Sequence, residues 1–223
     1  MSSHTANMTG ISGAGGLAST PRENRLMPQN AVAVAKPIAN NLAKEKRRLL
    51  EIIKEKSLLK GRFKLASGTM SDYYLDMKPT TFDPEGANLL ADIVYGMLSG
   101  DDDVEAIGGL EVGSVPIIIA VCMRSWGRRP ITGFVVRKEK KGHGTDRLID
   151  GNFRPNSTVV LLEDVTTKGD SVMQAVRAVR QQGATVKKII TIVDRLEGAA
   201  GNLKQEGIEL EAVFKAPELL IGE

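Results

Sequence analysis

The chain has a single cysteine in 223 residues, so no intramolecular disulfide can form. That residue, Cys122, lies inside the apolar run Ile117 to Met123, which predicts a buried thiol in a reducing compartment and argues against cysteine chemistry. Histidine is almost as scarce. The two present, His4 and His143, are far apart in sequence, which excludes a histidine-rich metal site. No apolar stretch is long enough to span a bilayer, and the N-terminus lacks the continuous hydrophobic segment of a secretory signal. A cytoplasmic protein without a membrane partner is expected. Charge of one sign is not in excess either: 30 basic residues face 27 acidic ones, too even a balance for a nucleic-acid wrapper. The phosphate-binding string G-x-x-x-x-G-K-[ST] and the G-x-G-x-x-G turn are both missing, which weakens nucleoside-triphosphatase and dinucleotide-binding readings.

An apolar content of 42% is enough for one well-packed domain. Residues 1–40, rich in Gly, Ser, Ala and Asn without a sustained period, read as a disordered N-terminal extension; a transit peptide is the poorer alternative. From Asn41 the pattern is helical, with Leu42, Leu49, Leu50 and Ile53 on one face and the basic run Lys44 to Arg48 near the other. That run reads as a solvated face. No aromatic residues interleave with it to suggest nucleic-acid contact. Arg62–Ala66 and Tyr73–Met77 read as two short strands around a Ser-Gly turn, so that residues 41–83 form a small hood on a domain spanning 41–223. Asp83-Pro84-Glu85 carries the signature of a helix start. Ser114 is expected to cap the helix that follows the strand Glu105–Gly108. Further strands are expected at Ile131–Val136, Val159–Leu162 and Lys188–Val193, with a polar loop over 137–156. Strands alternating with helices predict an α/β fold, a parallel sheet flanked by helices whose ligand site lies beyond the carboxyl ends of the strands. Glu111, Arg137, Glu163, Asp164 and Arg195 all follow strands at that edge.

Three constellations there carry chemistry. The first is Glu163-Asp-Val-Thr-Thr-Lys-Gly-Asp-Ser171, between a buried strand and a helix expected to begin near Lys168. Hydroxyls and unpaired N–H groups at a helix N-terminus suit a phosphate, although the same residues also serve as plain helix caps. The preceding carboxylates suit vicinal hydroxyls or a metal-bound water, and phosphate beside a vicinal diol describes a ribose 5-phosphate. The second is Arg137 to Arg147, a glycine-bearing segment with a net charge of +3, equal to that of the whole chain. It reads either as a solvated loop or as a flap that closes over a polyanion, with His143 a candidate for proton transfer near neutrality. The third is Arg195, whose planar fork suits an anionic or carbonyl-bearing substrate, the alternative being a structural Asp–Arg pair. Tyr73 and Tyr74 are either ordinary hood residues or the cover of a flat base.

Five ordered strings resemble the type I phosphoribosyltransferases, and among them the orotate-specific family: Phe63-Lys-Leu-Ala-Ser-Gly68 with Ser71-Asp-Tyr-Tyr74, Gly109-Leu-Glu-Val-Gly-Ser-Val-Pro116, Val136-Arg-Lys with Lys141-Gly-His-Gly144, Val160-Leu-Leu-Glu-Asp-Val-Thr-Thr167 and Ile192-Val-Asp-Arg195. The resemblance covers about residues 42–220. It implies transfer of ribose 5-phosphate from phosphoribosyl pyrophosphate to orotate, giving orotidine 5′-phosphate and pyrophosphate with Mg²⁺, in pyrimidine biosynthesis. It implies that Glu163 and Asp164 hold the ribose hydroxyls, directly or through a metal-bound water, and that Val165, Thr166, Thr167, Lys168, Gly169, Asp170 and Ser171 cradle the 5-phosphate. Arg137, Lys138, Lys141 and His143 would bind and discharge pyrophosphate, with Lys141 and His143 as the catalytic pair on a flap that serves the neighbouring subunit of a homodimer. Arg195 would grip orotate, helped by Tyr74. Lys168, Asp170, Thr69, Ala66 and Gly142 depart from the family pattern. The alternatives are a transferase for another base or a weakly active sensor of phosphoribosyl pyrophosphate.

Overall fold

The structure, a computed structural model, describes residues 41–64, 70–139 and 147–221. Six strands form one sheet in the order β5-β4-β3-β6-β7-β8: β3 (Ala106–Gly108), β4 (Thr132–Val136), β5 (Ile149–Gly151), β6 (Thr158–Thr166), β7 (Thr185–Asp194) and β8 (Glu209–Lys215). All neighbours are parallel except β4 and β5, so the expected parallel sheet has an antiparallel edge. The polar loop read over 137–156 is therefore interrupted by a strand. Only three residues long and at an edge, β5 carries too little pattern to be seen in sequence.

The apolar run in β6 divides between two cores, as a period of two dictates for a strand covered on both faces. Val160 and Leu162 join the cluster under α1 (Leu42–Lys56), α3 (Pro84–Met97) and α4 (Ser114–Ser125), while Val159 and Leu161 join that under α5 (Asp170–Arg180) and α6 (Ala199–Gln205). Alternate residues of one strand thus bind two helical layers to it.

Outside the sheet, β1 (Leu58–Lys64) and β2 (Met70–Leu75) make the antiparallel hood hairpin. Its first strand begins four residues before the sequence expectation, because Leu58 pairs with Leu75. The helical turn α2 (Lys78–Thr81) links the hood to α3. Asp83 caps α3 as expected, its Oδ1 accepting from Glu85 N at 3.0 Å and Gly86 N at 2.9 Å. Ser114 does not act as a cap: it is the first helical residue of α4, and its buried hydroxyl donates to the Leu110 carbonyl at 2.7 Å. The Cys122 thiol is half-buried and raised in pKa by that burial. The basic run of α1 is partly consumed by its surroundings, since Arg48 pairs with Glu85 at 2.7 Å and Glu51 at 3.2 Å. Among the described residues no helix is long and apolar enough to cross a membrane.

From β3 the chain runs outward through α4 to β4 and on to the edge strand β5, then crosses to β6 on the opposite side of β3 and continues through β7 to β8. The carboxyl ends of β3 and β6 therefore flank a topological switch point, where neighbouring loops part and leave a crevice.

Candidate active site

The loop after β6 walls a cavity of about 300 Å³ with Thr166, Thr167, Lys168, Gly169, Asp170 and Ser171. The helix beyond it starts at Asp170, not near Lys168, because Gly169 takes a left-handed φ of 90° and turns the chain into α5. No protein acceptor among the described residues takes the N–H groups of Thr167 to Ser171, and the α5 N-terminus points its dipole at the same cavity. The Thr166 hydroxyl is buried and likewise has no partner there.

Glu163 and Asp164 belong to β6 itself rather than to the loop, Glu163 pairing in register with Thr191. As consecutive strand residues they diverge. Glu163 is 9% exposed, and its Oε2 is buried without a hydrogen-bond partner. Burial, reinforced by the Asp164 charge and opposed by Lys138, pushes its carboxyl up to about 8. Asp164 packs against the glycine loop after β3, where a Cβ on Gly113 would lie 2.4 Å from its Oδ2. Burial raises its pKa as well, while a hydrogen bond from Val165 N at 2.9 Å and the charge of Lys78 work the other way. Both carboxylates line a cleft of about 470 Å³ that adjoins the phosphate-sized cavity through Glu163, Val165, Thr167 and Ser171.

Arg195, at the end of β7, borders the same cleft and is 9% exposed. Its Nε donates to Glu197 at 2.7 Å, its Nη2 donates to the Ser71 hydroxyl at 3.1 Å, and its guanidinium lies 4.4 Å from the Tyr73 ring centroid. The acidic partner is thus Glu197; Asp194 instead accepts from the Leu196 N–H at 2.9 Å. Tyr74 lines the cleft with its ring 5.7 Å from that of Phe63. Just beyond β4, Lys138 lines the cleft and donates its N–H to Glu111 Oε1 at 3.0 Å. Arg137 is not brought there: its Nε is bound to Asp150 of β5 at 2.6 Å, and it lines neither cavity. Lys141, Gly142 and His143, and likewise Ala66 and Thr69, lie outside the described residues.

No family model matches the chain. An orotate phosphoribosyltransferase of Bradyrhizobium sp. (strain ORS 278) is 46% identical over 178 residues, covering 78% of this chain and 96% of the relative. That of Aquifex aeolicus is 43% identical over 180 residues, covering 79% and 98%. The chain belongs to the orotate phosphoribosyltransferases. Among solved structures, Mycobacterium tuberculosis H37Rv orotate phosphoribosyltransferase in complex with Fe(III) dicitrate superposes with a TM-score of 0.70 at 34% identity, covering 78% of this chain and 98% of that one. The same enzyme in complex with 5-phospho-α-D-ribosyl 1-diphosphate gives a TM-score of 0.67 at 30% identity, covering 79% and 99%.

In this member of the orotate phosphoribosyltransferases, three further side chains stand in or beside the cleft. Lys78 lines it beside Asp164, its Nζ 2.6 Å from Asp76 Oδ1, an ion pair that raises its pKa. Nothing but its place after Asp76 marked it. Tyr73, not Tyr74, underlies Arg195, because residue 73 faces inward in the alternation of β2. Glu197 borders both the phosphate-sized cavity and the recess beside Tyr73 and Arg195. Its spacing of two from Arg195 was the available signal.

Proposed function

We propose that the chain transfers ribose 5-phosphate from phosphoribosyl pyrophosphate to N1 of orotate, with the loop Thr166–Ser171 holding the 5-phosphate. The observation that carries this reading is the junction of a cavity rimmed by unpaired N–H groups with a cleft holding two buried carboxylates and Arg195. Val165 and Thr167 line both spaces, so one ligand can occupy both. In the reaction a bond forms from orotate N1 to C1′ of the ribose while the bond from C1′ to pyrophosphate breaks, its electron pair leaving with pyrophosphate, which takes up the proton that orotate N1 gives up. Positive charge grows on the sugar. Glu163 and Asp164 accept from the ribose hydroxyls, and Asp164, joined by Glu163 once it has given up its proton, opposes that charge at short range in a poorly solvated wall. Lys138 and Lys78 meet the anionic parts of the substrates, and Arg195, oriented by Glu197 and Ser71, presents its remaining edge to orotate.

Mg²⁺ suits this donor set. Among the described residues no three His, Cys, Asp or Glu side chains converge as ligands, so the chain would hold the ion through waters on Glu163, whose buried Oε2 has no partner, and on Asp164. Bound with pyrophosphate, the ion would neutralise charge on the leaving group. Lys141 and His143 are assigned to the departing pyrophosphate, with Arg137 joining them if its bond to Asp150 is exchanged.

Residues 41–223, with the hood 41–83, make the catalytic unit, and residues 1–40 an extension beyond it; the matched relatives cover 78–79% of the chain. A homodimer is supported by Ile119 and Met123 of α4 and Trp126 at its C-cap, exposed at 54%, 74% and 66%, an apolar surface that a second copy would bury. Each copy's flap would then serve its neighbour. We assign the work to the cytoplasm, in keeping with one unpaired thiol.

Purified protein with orotate, phosphoribosyl pyrophosphate and Mg²⁺ should consume orotate, followed by its ultraviolet absorbance, and Lys141→Ala should slow this by ~100-fold or more, as for the loss of a group acting in the transition state. Binding of both substrates without turnover would mark a sensor. Pyrophosphate release with another base only would overturn the assignment to orotate.

A further inference from the structure

Every carbonyl of the phosphate loop is tied away from the cavity. Thr166 O accepts from Arg195 N at 2.9 Å and Thr167 O from Ala199 N at 3.1 Å. Lys168 O accepts from Asn202 Nδ2 at 2.9 Å, and Gly169 O from Met173 N at 3.0 Å at the start of α5. In a trans peptide the C=O of one residue and the N–H of the next point in opposite directions. A carbonyl held behind the loop therefore turns the following N–H forward. The segment from Arg195 to Asn202 aims the N–H groups of Thr167, Lys168 and Gly169 in this way.

Two of its three ties are made by backbone groups, which most sequences could supply. The third is a side chain. Asn202 is an exposed residue of the seven-residue helix α6, and its hydrogen bond is the one that holds the Lys168–Gly169 peptide. That peptide is the easiest in the loop to turn over, because its rotation is absorbed by ψ of Lys168 and φ of Gly169, and glycine accepts either sign of φ. Turned over, it would present a carbonyl oxygen where the loop now offers an N–H, replacing a donor to the anion by a repelling dipole.

We propose that Asn202 is a positioning residue for phosphate binding: by holding the Lys168 carbonyl it keeps the Gly169 N–H directed into the cavity. The proposal rests on the reading of that cavity as the 5-phosphate site. Nothing in the sequence pattern singles Asn202 out, and it touches no substrate itself.

The test uses the full chain with Asn202→Ala, which removes the donor, and Asn202→Asp, which sets a carboxylate against the Lys168 carbonyl. Ribose 5-phosphate binding is measured by calorimetry, alongside KM for each substrate, kcat and the thermal midpoint. In Asn202→Ala, the ribose 5-phosphate Kd and the KM for phosphoribosyl pyrophosphate should rise ~fivefold, the scale of one hydrogen bond. They should rise further in Asn202→Asp, while KM for orotate stays within about twofold and the thermal midpoint is unchanged. Unchanged Kd and KM in both variants would overturn the proposal. So would parallel rises in both KM values with a lowered midpoint, which mark a merely structural contact. If the unaltered chain fails to bind ribose 5-phosphate, the reading of the cavity itself falls.

Discussion

Replacing Glu163 by glutamine should remove most of a pH dependence that the free protein carries in its folded state. The wild-type carboxyl is 9% exposed and displaced, chiefly by burial, from 4.5 to about 8. Between those two values the folded chain binds a proton that the unfolded chain has released. Stability therefore falls as pH rises, by ~1.4 kcal/mol per pH unit, reaching a total on the order of 5 kcal/mol once the folded carboxyl ionises. Glutamine fills nearly the same volume without titrating. The unfolding free energy of Glu163→Gln minus that of the wild type should thus be smallest near pH 5, climb through pH 8, and level off above it. Urea titrations at fixed ionic strength and protein concentration would measure this, in buffers free of phosphate, magnesium and pyrophosphate, which stabilise the folded state by binding it. A difference that stays constant from pH 5 to 9, or shrinks with pH, would mean instead that the carboxylate is already ionised when buried.

Gly113→Ala should weaken phosphoribosyl pyrophosphate binding by about tenfold or more at little cost in stability. The φ of Gly113 is ordinary at −59°, but the new methyl would meet Asp164 Oδ2 at 2.4 Å and push that carboxylate from its place; unaltered affinity would mean that Asp164 can yield without consequence. Asp170→Asn removes an anion from the wall of the phosphate-sized cavity, so affinity should tighten by ~threefold to tenfold at low salt, while the free protein loses a few tenths of a kcal/mol of helix-dipole stabilisation. Equal or weaker affinity, measured by calorimetry, would show that the carboxylate does not face the phosphate. Met123→Asp on the exposed apolar surface of α4 should shift the molecule from dimer to monomer in sedimentation velocity at micromolar concentration. No change in sedimentation, or an unaltered chain that already sediments as a monomer, would overturn this interface.

Much of this was legible along the chain because the relevant signals are local. The cap at Asp83, the apolar run of β6 and the helical spacing of Val172, Ala175, Val176 and Val179 each depend on near neighbours, and each has its expected outcome. The loop between β6 and α5 could be read as a phosphate cradle for the same reason: its hydroxyls, its glycine and the following helix are contiguous. Boundaries were less accessible. Glu163 and Asp164 look like loop residues in sequence, yet β7 continues beside β6 as far as Asp194 and extends the pairing through Thr166. The segments after Val193, including α6, β8 and α7 (Ala216–Leu220), carried too weak a pattern to be placed.

The α/β alternation, the switch from strand to helix around Thr166–Ser171 and the residue types able to meet a phosphorylated sugar are thus properties of the sequence. Tertiary structure alone decided what those residues became. Burial between two layers turns Glu163 into a carboxyl that titrates near 8, and Gly113, from a different loop, sets the place of Asp164. Arg195 is oriented by Ser71 of the hood, and the Lys168 carbonyl by Asn202 of α6. Desolvation and hydrogen-bond direction depend on which distant segments meet, and sequence spacing carries no record of that.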